Sequence, residues 1–201
     1  MVLLELPIQA LEPAMLQDLQ NRYPRAVVRV ETGEPLTDTK MDESQFWQII
    51  QSLDWKQTEN ARVIAPAIEA LSQYPIADIA AFDDLLSQKL YALDGQRYAE
   101  QTGDRAYSNN PDQHFSVDGF LYARCCVVAN GKEFYEKVLQ DPTLMPKNYT
   151  FEPLLYLAEK DYRTQTGRND YDHVPEVWSE TFSNADGWPG RTTVKDRILA
   201  R

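Results

Sequence analysis

The stretch IAAFDDLLSQKLYAL, Ile79 to Leu93, decides the fold class. Ile79, Phe82, Leu86, Leu90 and Leu93 recur at steps of three and four, the period of an α-helix that buries one stripe. Asp83, Asp84, Gln88 and Lys89 fall between them and are expected to face solvent. The spacing predicts a central helix, and the same period continues on both sides of it.

Upstream, Asp42 stands three residues before Gln45, a capping-box arrangement, and opens a helix with Phe46, Ile50 and Leu53 on one stripe and Trp47 and Ile49 beside it. A second helix carries Val63, Ile64, Ala67, Ile68 and Leu71. Pro66 must start its regular part or kink it, because proline has no N–H to donate inside a helix. Tyr74-Pro75 ends it. Downstream, apolar density falls between Asp94 and Phe115, where Gly95, Gly103, Ser108, Asn109, Asn110 and Pro111 read as a long mobile connection. Ser116 is placed as the N-cap of a helix with Phe120, Leu121, Val127 and Val128, closed by Gly131. A short helix with Phe134, Tyr135, Val138 and Leu139 stops at Asp141-Pro142. Another runs from about Glu152 to Thr166 and ends at Gly167. The rest is an irregular tail with a short helix from Thr193.

The first residues follow a different pattern. Val2 to Leu6 is an apolar run, Leu11 to Arg22 has helical spacing, and Ala26 to Glu31 alternates with Val28 and Val30 on one face. The expectation is a small strand-helix-strand element over residues 1–40, joined by a linker from Thr32 to Lys40 to a helical domain over residues 41–201. The fold class is therefore mainly α, a multi-helix bundle with a small N-terminal α/β element. A two-stranded sheet of this size needs a partner, so the edge at Ala26 to Glu31 is a candidate for self-association.

At 201 residues, 43% apolar and 25% charged, the chain can bury a core. Its 20 basic and 31 acidic residues give a net charge of −11. That charge opposes general capture of nucleic acid or of an anionic membrane surface. It is unevenly placed: residues 1–41 carry −2, residues 42–190 carry −12 and residues 191–201 carry +3. No run of apolar residues is long enough to span a membrane, and MVLLELP lacks the basic leader of a signal peptide, so a cytoplasmic location is expected. Cys125 and Cys126 are adjacent, which suits two free thiols better than a strained bridge. His114 and His173 lack paired ligand spacing, and no metal or other cofactor is expected.

The ordered series Phe46-Trp47-Gln48-Ile49-Ile50, Ile79-Ala80-Ala81-Phe82, Ser116-Val117-Asp118-Gly119-Phe120-Leu121-Tyr122-Ala123-Arg124, Gly131 to Tyr135 and Leu139-Gln140-Asp141-Pro142 resembles the bacterial domain-of-unknown-function family 4240. The similar region spans roughly Met41 to Gly167. The resemblance implies an all-helical fold and no defined activity. Asp94 to Phe115 departs from the family pattern, and the first 40 residues lie outside it.

Four residues stand out as candidates for ligand binding: Trp47, Ser116, Asp118 and Arg124. Asp118 lies in the first turn of the helix that Ser116 begins, where the dipole favours a carboxylate. Backbone N–H groups there, or Arg124, could receive an anion. The other reading, in which Ser116 and Asp118 cap the helix while Arg124 pairs with an acid such as Asp83 or Glu152, is the preferred one. No nucleophile-base-acid arrangement and no glycine-rich phosphate loop is present. Two functions remain. One is a non-enzymatic acidic interaction protein of inhibitor or immunity type, binding a basic protein partner. The other is a small enzyme or nucleotide binder with a pocket near Trp47, Asp118 and Arg124, covered by the loop from Gly95 to Pro111.

Overall fold

The computed structural model describes residues 40–189, except 109, 111 and 113, together with Gln17, Asn21 and Arg22. The chain divides into two units, Met1–Asp38 and Thr39–Arg201. In the first, Gln17, Asn21 and Arg22 are helical, inside the stretch with helical spacing. Both predicted strands, Val2 to Leu6 and Ala26 to Glu31, lie outside the described residues, as does the helix predicted from Thr193. The described residues are mainly helical and contain no strand, and the expected N-terminal strand element falls outside them.

The second unit begins with α1, Glu43–Gln51. Asp42 accepts from the Gln45 N–H at 2.8 Å while the Gln45 side chain accepts from the Asp42 N–H at 2.8 Å, so two otherwise orphaned donors are satisfied reciprocally. α2, Asn60–Leu71, runs through Pro66. The carbonyl that loses its helical partner there is that of Arg62, an exposed residue, which keeps the defect on the wet side. α3, Ile76–Ala92, buries Ile79, Phe82, Leu86 and Leu90 as the periodicity requires. It also buries Asp84, and Asp83 is half-buried, contrary to the solvent face expected for both.

The stretch after α3 is more ordered than its composition implies. It contains a short α4, Gln96–Ala99, whose Tyr98 and Ala99 are buried. Tyr107 and Phe115 further along pack at 5.2 and 6.3 Å from Trp188. α5, Val117–Ala129, is apolar nearly all round and buries Phe120, Leu121, Ala123, Cys125, Val127 and Val128, as a core helix should. Gly131, at φ 89° and ψ 173°, makes a turn open only to glycine between α5 and α6, Lys132–Gln140.

Two 3-10 turns follow, Pro142–Leu144 and Glu152–Tyr156, and the second leads straight into α7, Leu157–Thr166. The helix predicted from Glu152 thus starts as a tighter turn, with Pro153 in its first positions. Gly167 ends α7 in the left-handed conformation, φ 69°. α7 packs against α2 and α3, α3 packs against α5, and α5 packs against α6 and the Glu152–Tyr156 turn. The core therefore sits around α3 and α5, with Phe46 and Phe82 in ring contact at 5.1 Å.

Candidate functional site

The four candidate residues have separate surroundings. Trp47 is buried in ring contact with Phe46 at 5.0 Å and Tyr135 at 5.3 Å. Its indole N–H donates to Glu43 at 3.1 Å, and Lys89 pairs with the same carboxylate at 2.9 Å. Ser116 caps α5, its hydroxyl accepting from the Gly119 N–H at 3.0 Å. Asp118 is exposed in the first turn of α5.

Arg124 is fully buried. It pairs with neither Asp83 nor Glu152. Instead its guanidinium donates to the Leu90 carbonyl at 2.8 Å and to the Thr181 hydroxyl at 3.0 Å, and lies 4.8 Å from the centre of the Phe120 ring. Thr181 passes the chain of bonds on to the Val117 carbonyl at 2.8 Å. Burial pulls the guanidinium below its usual range, and the negative charge of Asp94 offsets part of this. The Arg124 Nε has no hydrogen-bond partner. A cation in this position joins α3, α5 and the segment after α7.

That segment, residues 168–189, is held by acids of α3 and its C-terminal end. Asp94 is fully buried and accepts from the Phe182 N–H at 3.1 Å, the Asn184 N–H at 2.9 Å and the Trp188 indole N–H at 2.9 Å. Trp188 in turn packs on Phe182 at 4.5 Å and on Phe120 at 6.0 Å. Higher on α3, Asp84 Oδ1 lies 2.9 Å from His173 Nε2 and accepts from the Glu176 N–H at 3.3 Å, while Lys40 stands 3.4 Å from its other oxygen. Burial pushes the Asp84 carboxyl up, but the bonds from His173, Glu176 and Lys40 and the charge of His173 outweigh it and hold it below its ordinary value. The Tyr171 hydroxyl donates to Asp83 at 3.2 Å, yet burial wins there and raises the Asp83 carboxyl.

Sequence reasoning missed these anchors. Asp94 follows directly on the C-terminal end of α3, where the helix dipole disfavours a carboxylate, and that placement was the available sign of a special role. For Trp188 the sign was a large ring in a tail without periodicity.

Two shallow clefts open among the described residues. One of about 290 Å³ is lined by Thr102, Arg105, Ser116, Gly119, Asn148 and Tyr149 among others. The second, of about 510 Å³, lies over Asp94, Gly95, Arg97, Glu100, Asn184 and Asp186. Of the four candidate residues, only Ser116 lines either of these two clefts. Burial drives the Cys125 thiol up to about 12, which leaves it protonated and a poor nucleophile. No three His, Cys, Asp or Glu side chains come together as metal ligands, and no helix is long and apolar enough to cross a membrane, among the described residues.

No curated protein and no solved structure matches this chain. Residues 41–164, the helical body from α1 to the last turn of α7, match the model of a family described as "Protein of unknown function (DUF4240)". The anchored segment at 168–189 lies beyond the matched residues. By that match the chain belongs to the DUF4240 family.

Proposed function

We propose that the protein is a non-enzymatic, acidic interaction protein that binds a basic protein partner, in the manner of an inhibitor or immunity protein. One observation carries the reading. The polar groups that could do chemistry, Arg124, Asp94, Asp84 and Ser116, are each bonded to the protein's own backbone or side chains, while residues 42–190 keep a net charge of −12. An excess of that size speeds encounter with a positive partner and disfavours polyanions. The alternative, a small enzyme or nucleotide binder, needs Trp47, Asp118 and Arg124 around one pocket, and neither described cleft is lined by any of them. We take the protein to act in the cytoplasm, where Cys125 and Cys126 stay reduced.

The test is a capture experiment with the immobilised full-length chain in host extract, run at low and at moderate salt. The expected result is a basic protein retained at low salt and released as salt rises. Failure to retain any salt-sensitive basic protein would sink the proposal.

A further inference from the structure

The outer side of the Glu152–Tyr156 turn carries aromatic rings. The Tyr156 hydroxyl donates to Glu152 Oε1 at 2.7 Å, and the charge of the same carboxylate acts on the Tyr122 hydroxyl of α5. Asp118 adds its charge beside Tyr122 from the preceding turn of α5, and Glu159 does so beside Tyr156 from α7. One residue before the turn, Phe151 is buried, donates its N–H to the Tyr122 carbonyl at 3.0 Å and supports the ring of Trp55 at 4.9 Å. Trp55 is 51% exposed and Tyr156 40%. Among the described residues no cation forms an ion pair with Asp118, Glu152 or Glu159.

Exposed rings edged by carboxylates that pair with no described cation suit one kind of side chain. A guanidinium lays its plane on a ring while its N–H fork bonds a carboxylate, whereas an ammonium offers a point charge and no plane. A purely apolar occupant would strip water from three carboxylates without replacing it. A polyanion would meet the −12 body. We infer that the face formed by Trp55, Tyr122, Tyr156, Asp118, Glu152 and Glu159 docks an arginine-bearing segment of a basic partner protein. This rests on the proposal of a basic partner and adds where it binds and by which side chain.

The test uses the full-length chain titrated into fluorescently labelled deca-arginine or deca-lysine, read by anisotropy at roughly 0.1 M salt, where charges beyond about 10 Å are largely screened. Deca-arginine should bind several-fold more tightly than deca-lysine. Trp55→Ala should weaken deca-arginine binding about two- to fivefold, and Glu152→Gln by up to about fivefold. Glu152→Gln keeps an acceptor for Tyr156, so it preserves the turn. Glu69→Gln, the same charge change at an exposed position of α2, should leave binding nearly unaltered. Circular dichroism confirms that each variant is folded, and Tyr156→Leu replaces Trp55→Ala should the latter not fold. Equal affinity for the two peptides, or equal weakening by Glu69→Gln, overturns the docking face while a basic partner elsewhere on the surface survives. Absence of binding to either peptide overturns both.

Discussion

Replacing Asp94 by Asn probes the anchoring of residues 168–189 with a loss of one charge and almost no change of shape. In the native protein Oδ1 accepts from Phe182 N–H and the Trp188 indole, and Oδ2 accepts from Asn184 N–H. An amide has one oxygen. Placed at Oδ1 it keeps two bonds, now without charge assistance, and its NH₂ then faces the Asn184 N–H, donor against donor. The lost bond to a charged acceptor is worth about 1.5–3 kcal/mol and the orphaned buried donor costs about 1–3 kcal/mol more. Arg124 also loses a nearby negative charge while remaining buried. Together these predict a loss of about 3–5 kcal/mol, the range for breaking a buried charged pair. That is a large share of the ~5–15 kcal/mol available to a typical domain. Urea unfolding followed by circular dichroism, with variants compared at constant slope, measures it. Trp188→Phe removes one donor and keeps most of the ring, so the Asp94→Asn and Trp188→Phe double-mutant cycle should return a coupling of about 1 kcal/mol or more. A loss below about 1 kcal/mol for Asp94→Asn, or additive behaviour in the cycle, would refute the reasoning.

Gly187→Ala should be destabilising at the same joint. A Cβ there would stand 2.2 Å from the Asp94 carbonyl and 2.8 Å from the Gly95 Cα, and backbone on both sides cannot yield cheaply. A fall in melting temperature of several degrees is expected from about 1–3 kcal/mol of overpacking. Ser116→Ala removes the α5 N-cap and should cost about 1 kcal/mol in the same urea assay. Asp84 has its carboxyl held below the ordinary value, so its contribution to stability is present above the unfolded-state pKa and is lost as pH falls through the folded one. Unfolding free energy measured from neutral pH into acid, below about pH 4, should therefore drop less steeply in Asp84→Asn. Asp161 behaves with the opposite sign: burial raises its carboxyl and its Oδ1 has no partner. Its contribution is present below the unfolded-state pKa and lost as pH rises, so Asp161→Asn should gain stability at neutral pH.

The helical body could be read from the order of residues because each helix carries its own period. Phe46 and Ile50, Ile79 to Leu90, and Phe120 to Val128 announce buried stripes from spacing alone, and Asp42, Ser116 and Gly167 mark ends through local backbone chemistry. All of these signals act over at most a few residues. The polar core left no such trace. Asp84 lies at a position of α3 that its own helix would leave wet, and only the return of His173 and Glu176, some ninety residues later, buries it. Spacing offers Arg124 as a receiver of an anion or the partner of an acid, yet Leu90 and Thr181, 34 and 57 residues away, turn it into an internal joint. Trp188 belonged to no periodic pattern until Asp94 and the rings of Phe120 and Phe182 closed around it. Spacing records which side of a helix avoids water. Which polar groups are buried depends on partners distant in sequence, since a buried charge is tolerated only where its bonds are completed, and that completion exists only in the folded chain.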